Sequence, residues 1–230
     1  MTATLPLTAE LVLLILDDNT GKPLVDSVRR KAAVAGGAVL ELVLDGILEL
    51  TAGEPRQARL VAAPGAAEPR SLVLAQANDR VVGHKPKEAV ARLGGASDWK
   101  HRADDILEAV LQELAASGIV EPVERTTLGV LRSTRWVMRR SEVEAEIKTR
   151  IALVLDGRKP DARTAALVAL ANAIDLLPKL YPGREKKAIR RRATEIAELS
   201  WGGQAVSQVV QEVQGAVVAA IVASTVATSS

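Results

Sequence analysis

The chain has 230 residues, 48% of them hydrophobic and 25% charged, with a formal net charge of +2 at pH 7. That balance suits one packed core under a solvated surface and provides no basic tail of the kind that binds nucleic acid by charge alone. The absence of Cys excludes disulfides, thiolate metal sites and a cysteine nucleophile. Aromatic residues are scarce: no Phe, one Tyr (Tyr181) and three Trp (Trp99, Trp136 and Trp201), so the core must be built from Ala, Val, Leu and Ile. Small and aliphatic side chains of that kind favour close helix packing.

Thr8 reads as the cap of a run from Leu11 to Leu16, with Glu10 before it and Asp17 and Asp18 after it. The run lacks the positive flank and the length of a secretory leader. Residues 19–22 (Asn-Thr-Gly-Lys) read as a turn, and residues 27–45 as a helix closed by Gly46. A short strand is expected at residues 47–51, weak alternation at residues 57–63, and a loop at residues 64–69. Residues 71–91 have helical spacing interrupted near His84-Lys85-Pro86. Ser97 or Asp98 then caps a long helix through Ile106, Val110 and Leu114, ended by Gly118.

Alternating segments at residues 119–124, 128–131 and 136–138 predict antiparallel strands, and the Glu-rich turns after Arg140 predict a helix to Leu155. Pro160-Asp161 opens a helix with Leu167, Leu170, Ile174 and Leu177 on one face, stopped at Pro178. A strongly charged helix at residues 184–199 and an apolar one at residues 204–226 complete the chain. Residues 213–230 carry no charge, but Gly215, Ser224 and Thr225 interrupt them, and residues 216–223 fall far short of the roughly 20 apolar residues that span a bilayer. Val and Ala occur all round this helix, so it is expected to be buried in the core. With no targeting segment read, a cytoplasmic location is expected. With no fixed-period repeat and no low-complexity linker, one domain over residues 1–230 is expected.

The order and spacing of several blocks resemble the Golgi phosphoprotein 3 family. They are Leu7-Thr8-Ala9-Glu10-Leu11-Val12-Leu13-Leu14 followed by Leu16-Asp17-Asp18 and Gly21; the stretch from Gly36 to Leu50; Leu114 to Ile119 followed by a hairpin; Asp161-Ala162-Arg163 with Leu167-Val168-Ala169-Leu170; and Ala216-Val217-Val218-Ala219-Ala220. The matches run from about residue 5 to residue 225, and the Ala-rich, aromatic-poor composition suggests a bacterial member. The resemblance implies a mostly α fold, with helices packed around a buried apolar C-terminal helix, a projecting β-hairpin and a few short antiparallel strands. It also implies a non-catalytic protein on the inner face of a membrane, binding phosphatidylinositol 4-phosphate and recruiting client proteins.

In that family a Trp and three Arg hold the headgroup. The corresponding positions here are Pro23 to Asp26 for the Trp, Ala35 for one Arg, and about Asp104 and Leu107 for the other two, so none of the four is kept. Basic residues nearby are the substitutes: Arg29, Arg30 and Lys31 on one side, Lys100 and Arg102 on the other. Arg and Lys bind phosphate by charge and hydrogen bonds on any anionic lipid, so an anionic phospholipid surface is the expected partner. The same runs also suit plain solvated helix faces.

The hairpin offers a second surface. Leu128, Val130 and Leu131 are apolar, with Arg132, Arg135 and Trp136 beyond them, a composition suited to an anionic interface or to a partner subunit in a homo-oligomer. A helix closed by Gly and followed by strands, as at Gly118, also raises a winged-helix nucleic-acid binder as the alternative. Asp104, Asp105, Glu108 and Glu113 on that helix would repel phosphates. No enzyme signature emerges. Gly202-Gly203 lacks the Lys of a phosphate loop, Asp17-Asp18 and Asp104-Asp105 diverge on a helix, and His84 and His101 have no metal or catalytic constellation. No cofactor is expected.

Overall fold

The computed structural model describes residues 5–18, 20–52, 54, 57–94, 102–127, 131–199 and 204–227. The described chain runs α1 (Leu7–Ile15), α2 (Ser27–Leu44), β1 (Leu48–Leu50), β2 (Leu60–Ala62), α3 (Leu72–Val81), α4 (Pro86–Gly94) and α5 (Arg102–Ala116). It continues β3 (Val120–Thr127), β4 (Leu131–Met138), α6 (Ser141–Leu155), α7 (Ala162–Ala173), α8 (Leu177–Leu180), α9 (Lys186–Glu198) and α10 (Gln204–Ala227). The mostly α fold, the apolar C-terminal helix, the hairpin and the short antiparallel strands are as expected.

Burial explains which helices take the centre. Every residue of α1 is buried, as are Ala32 to Val43 of α2 and Thr164 to Ala171 of α7. An α-helix has room for continuous burial only when neighbours cover it all round. The Gly36-Gly37 pair makes this possible in α2. A Cβ on Gly36 would stand 2.9 Å from Val217 Cγ2, 3.0 Å from Leu170 Cδ2 and 3.1 Å from Val213 Cγ1. Gly37 faces α1, with Thr8 Oγ1 and Leu11 Cδ2 next to where its Cβ would be. The two glycines therefore let α10 and α7 approach one side of α2 while α1 approaches another.

Helix α10 packs against α2, α4 and α7, and it buries one stripe, not its whole circumference. Val209, Val210, Val213, Ala216, Val217 and Ile221 lie inside, whereas Val218 is 43% exposed and Val222 faces solvent as well. By length and composition the segment Ala205–Ser224 is apolar enough to cross a membrane, but here its inner stripe is committed to the core. An all-round distribution of Val and Ala concealed this one-sidedness, because both residue types are tolerated at half-exposed positions.

Several boundaries differ from expectation. Pro6, not Thr8, is the N-cap of α1, and it makes no side-chain cap. The helix expected to run on to Leu177 breaks at Asp175, which adopts a left-handed conformation at φ 57° and leaves α8 as a separate turn. The three strand segments of the hairpin are two eight-residue strands, paired from Val120 with Met138 to Thr127 with Leu131. Asp161 does cap α7, accepting from Thr164 N at 2.7 Å. Gly46 and Gly118 close α2 and α5 with φ of 69° and 68°.

Candidate functional site

The first turn of α2 carries the first basic cluster. Asp26 caps that helix by accepting from Arg29 N at 2.9 Å, and the Arg29 guanidinium folds back onto the same carboxylate. Partial burial works against ionising Asp26, but the Arg29 N–H and guanidinium more than offset it and hold its pKa below the usual range. Arg29 is thus partly neutralised locally. Arg30 is half-buried, with its Nε unpartnered.

Lys31 Nζ lies 2.8 Å from Asp104 Oδ2, which joins the start of α2 to the start of α5. The chain therefore brings Arg29, Arg30 and Lys31 to the helix that Arg102 begins. Lys100 and the side chain of Arg102 lie outside the described residues. Of the positions at which the resemblance would place arginines, Ala35 is buried and Leu107 packs against the core. The third, Asp104, is a carboxylate that holds a lysine.

Beside Lys31 an open, mostly apolar cavity of about 180 Å³ is bounded by Val28, Ala32, Val90, Ala91 and Ala220, with Ser224 at its edge. Helices α2, α4 and α10 supply its walls. This is a hydrocarbon-lined opening with one cationic side chain in its wall, and the cationic turn of α2 continues beside it.

The hairpin is held at its base. Trp136 pairs across the strands with Pro122 and is only 8% exposed, so it belongs to the core and not to a projecting tip. Gly21 in the α1–α2 turn packs directly on the Trp136 backbone, where a Cβ would come within 2.6 Å of its carbonyl oxygen. Arg135 Nη1 donates to Thr20 O at 3.4 Å. Arg135 and Trp136 thus anchor the hairpin to the body, which corrects the expectation that Trp136 sits at an interface. Leu128 and Val130, and the side chains of Leu131 and Arg132, lie outside the described residues.

The groove between α5 and the hairpin is lined by Glu108, Gln112, Pro122, Glu124, Thr134 and Trp136. His84 Nδ1 lies 3.5 Å from Glu88 Oε2 in the first turn of α4. Among the described residues no group of three or more His, Cys, Asp or Glu could hold a metal ion.

A family model, Golgi phosphoprotein 3, matches residues 7–213. The chain belongs to the Golgi phosphoprotein 3 family. The match begins with α1 and ends within α10, so it takes in the basic turn of α2, the start of α5 and the hairpin together. A comparison with curated proteins finds no match.

Sequence reasoning missed two features of this family member. The Lys31–Asp104 pair joins residues 73 positions apart, and no local pattern announces it. Trp136 follows Arg135 in a strand next to basic residues, and the packing of the Gly21 turn on its backbone, which holds it against the body, is not written in the local sequence.

Proposed function

We propose that this protein is a non-catalytic peripheral membrane or adaptor protein that binds anionic phospholipid surfaces by charge and apolar contact, without a dedicated phosphoinositide pocket. One observation carries the reading: the cationic turn Arg29-Arg30-Lys31 borders an open apolar cavity between α2, α4 and α10. Each Lys or Arg close to an anionic leaflet contributes about 1 kcal/mol, screened within a Debye length. The hairpin tip is a second contact, to the same membrane or to a second copy of the chain, and client proteins would be recruited to the remaining surface. A cytoplasmic protein acting at the inner face of the membrane fits this chemistry.

The charge distribution gives no support to nucleic acid as a partner. Helix α5 followed by Gly118 and the β3–β4 hairpin has the element order of a winged helix. Yet Glu108 and Glu124 line the groove between helix and hairpin, where a phosphate backbone would pass.

Vesicle flotation tests the proposal. Binding should be absent on neutral phosphatidylcholine, present when phosphatidylglycerol is added, and lost steeply as salt rises. Phosphatidylinositol 4-phosphate at equal surface charge should do no better than phosphatidylglycerol. A phosphoinositide preference that persists at high salt overturns the charge-only reading, and failure to bind any anionic vesicle overturns the membrane reading.

A further inference from the structure

Ten residues along α2 from Lys31, about 15 Å at 1.5 Å per residue, lies Glu41, whose carboxylate is 1% exposed. Its Oε2 accepts from Thr8 Oγ1 at 2.7 Å and from Thr8 N at 3.2 Å. Glu41 thereby supplies the N-terminal cap that Pro6 cannot give to α1. Its other oxygen, Oε1, is buried and has no hydrogen-bond partner. Buried polar atoms are almost always paired, so this one calls for a reason.

Glu41 lines a cavity of about 150 Å³ between α1, α2, α3 and α5. Leu74, Val73, Ile106 and Val110 give that cavity apolar walls. Arg70 and Glu113 also line it. The Arg70 guanidinium is already spent on a two-pronged pair with Asp45, Nε to Oδ2 at 2.9 Å and Nη2 to Oδ1 at 2.5 Å. Arg163, the cation whose charge acts on Glu41, donates to Leu5 O and faces Glu10. The acidic groups left to the cavity are therefore Glu41, whose pKa burial holds above the ordinary carboxylate range, and Glu113.

We propose that this cavity binds a small organic cation, a primary ammonium on a short apolar stem, with the ammonium on Glu41 Oε1 and the stem among Leu74, Ile106 and Val110. One ordered water would satisfy the oxygen but would leave most of a space this size, walled by hydrocarbon, unfilled. A cavity of about 150 Å³ accommodates a single ring or a stem of comparable bulk. An ammonium would favour the ionised form of Glu41 and give Oε1 a charge-assisted hydrogen bond, whereas a carboxylate ligand would meet two acidic side chains and no available cation.

The probes are n-butylamine, benzylamine, n-butanol and butyrate, added to the full chain. The amines should raise the melting temperature in a saturable way and shift the amide resonances of Leu74, Ile106 and Val110. Butanol and butyrate at equal concentration should do neither. Glu41→Gln keeps an acceptor for Thr8 but presents no charge, and should weaken amine binding tenfold or more. If that variant does not fold, Val110→Phe, which fills the cavity and leaves Glu41 and Thr8 untouched, should abolish amine binding instead. Equal responses to amine and butyrate would overturn the assignment, as would amine binding that survives in whichever variant folds.

Discussion

Lys31 on α2 and Asp104 on α5 form a 2.8 Å ion pair that joins the first turns of the two helices. The pair places a carboxylate against the lysine of the basic turn of α2. Both side chains are about a third exposed, so the pair contributes only about 0–1 kcal/mol to stability. Its larger consequence is for the field that a membrane meets. Asp104→Asn should leave the melting temperature nearly unchanged and strengthen flotation with phosphatidylglycerol vesicles by roughly fivefold, since one charge near the surface is worth about 1 kcal/mol. Unchanged binding would mean that this end of the bundle does not face the lipid.

The hairpin tip should separate membrane from partner contact. Changing Leu128, Val130 and Leu131 together to Ser should leave the fold intact, because Arg135, Trp136 and the Gly21 turn fix the hairpin at its other end. Burial of such side chains is worth roughly 1.5–3 kcal/mol each when complete, so even partial insertion predicts a tenfold or larger loss of the contact. Loss in flotation identifies the membrane, and loss of a larger species in light scattering identifies a second copy. A folded variant unchanged in both assays would leave the tip without an interaction role.

Two glycines should respond to alanine with opposite signs. At Gly36 the added methyl would press on Val217, Leu170 and Val213 at 2.9–3.1 Å, and overpacking of this kind costs about 1–3 kcal/mol. At Gly215, within α10, nothing lies within 4 Å of the new Cβ. Gly215→Ala should therefore gain about 0.5–1 kcal/mol from helix propensity. Thermal unfolding of the two variants checks this, and a stabilised Gly36→Ala would mean that α2 and α10 are not packed this closely.

Helix α10 makes a similarly split prediction along its length. Val217→Asp would place an unpaired carboxylate in the core and should cost several kcal/mol, enough to abolish soluble expression. Val218→Asp, one residue on, points toward solvent and should be tolerated, with a shift of a few degrees at most. Equal damage from both would indicate a cover over Val218, such as a second copy or a membrane.

A buried acid should make stability fall as pH rises. Burial, reinforced by the hydrogen-bonded Asp18 carboxylate, pushes Glu144 from its ordinary 4.5 up to about 8. Lys148 Nζ sits 2.6 Å from Glu144 Oε1 and 2.9 Å from Asp18 Oδ2, which moderates the rise without cancelling it. The folded state thus holds a proton that the unfolded chain releases above 4.5, so this group lowers stability progressively between 4.5 and about 8. Asp18, held low first of all by its hydrogen bond with Glu144, has the opposite sign and loses its contribution only in acid. Glu144→Gln keeps a donor toward Asp18 and should flatten the decline across that window. A variant whose melting temperature still falls as steeply as that of the parent would show that Glu144 is not the group responsible.

The parts of this structure legible in the sequence are those written locally. Asp161 announces α7 because its carboxylate is three residues before the free N–H it satisfies, that of Thr164. Gly46 and Gly118 announce the ends of α2 and α5 because a left-handed residue is cheapest as glycine. What stayed hidden is set by distant neighbours. Thr8 looks like a helix cap, but its hydroxyl serves Glu41 across the core. Asp175 ends α7 in a conformation that no residue type there advertises, and its carboxylate pairs with Arg190 of α9. The basic runs were easy to find, while the acid that meets Lys31 came from another helix. Residue type places charges along the chain, but only the fold decides which of them remain free.

The seam at Gly36 also bears on how the chain is made. Among the described elements α10 is the last to leave the ribosome, and its Val213 and Val217 fill the notch that Gly36 leaves between α2 and α7. Until then that notch, lined by Leu170 and the small side chains of α2, faces solvent as an open apolar trough. At about 5–20 residues per second, the stretch from the end of α7 to the end of α10 takes several seconds to emerge. During that interval the nascent chain would present a binding surface for chaperones that the finished protein no longer has.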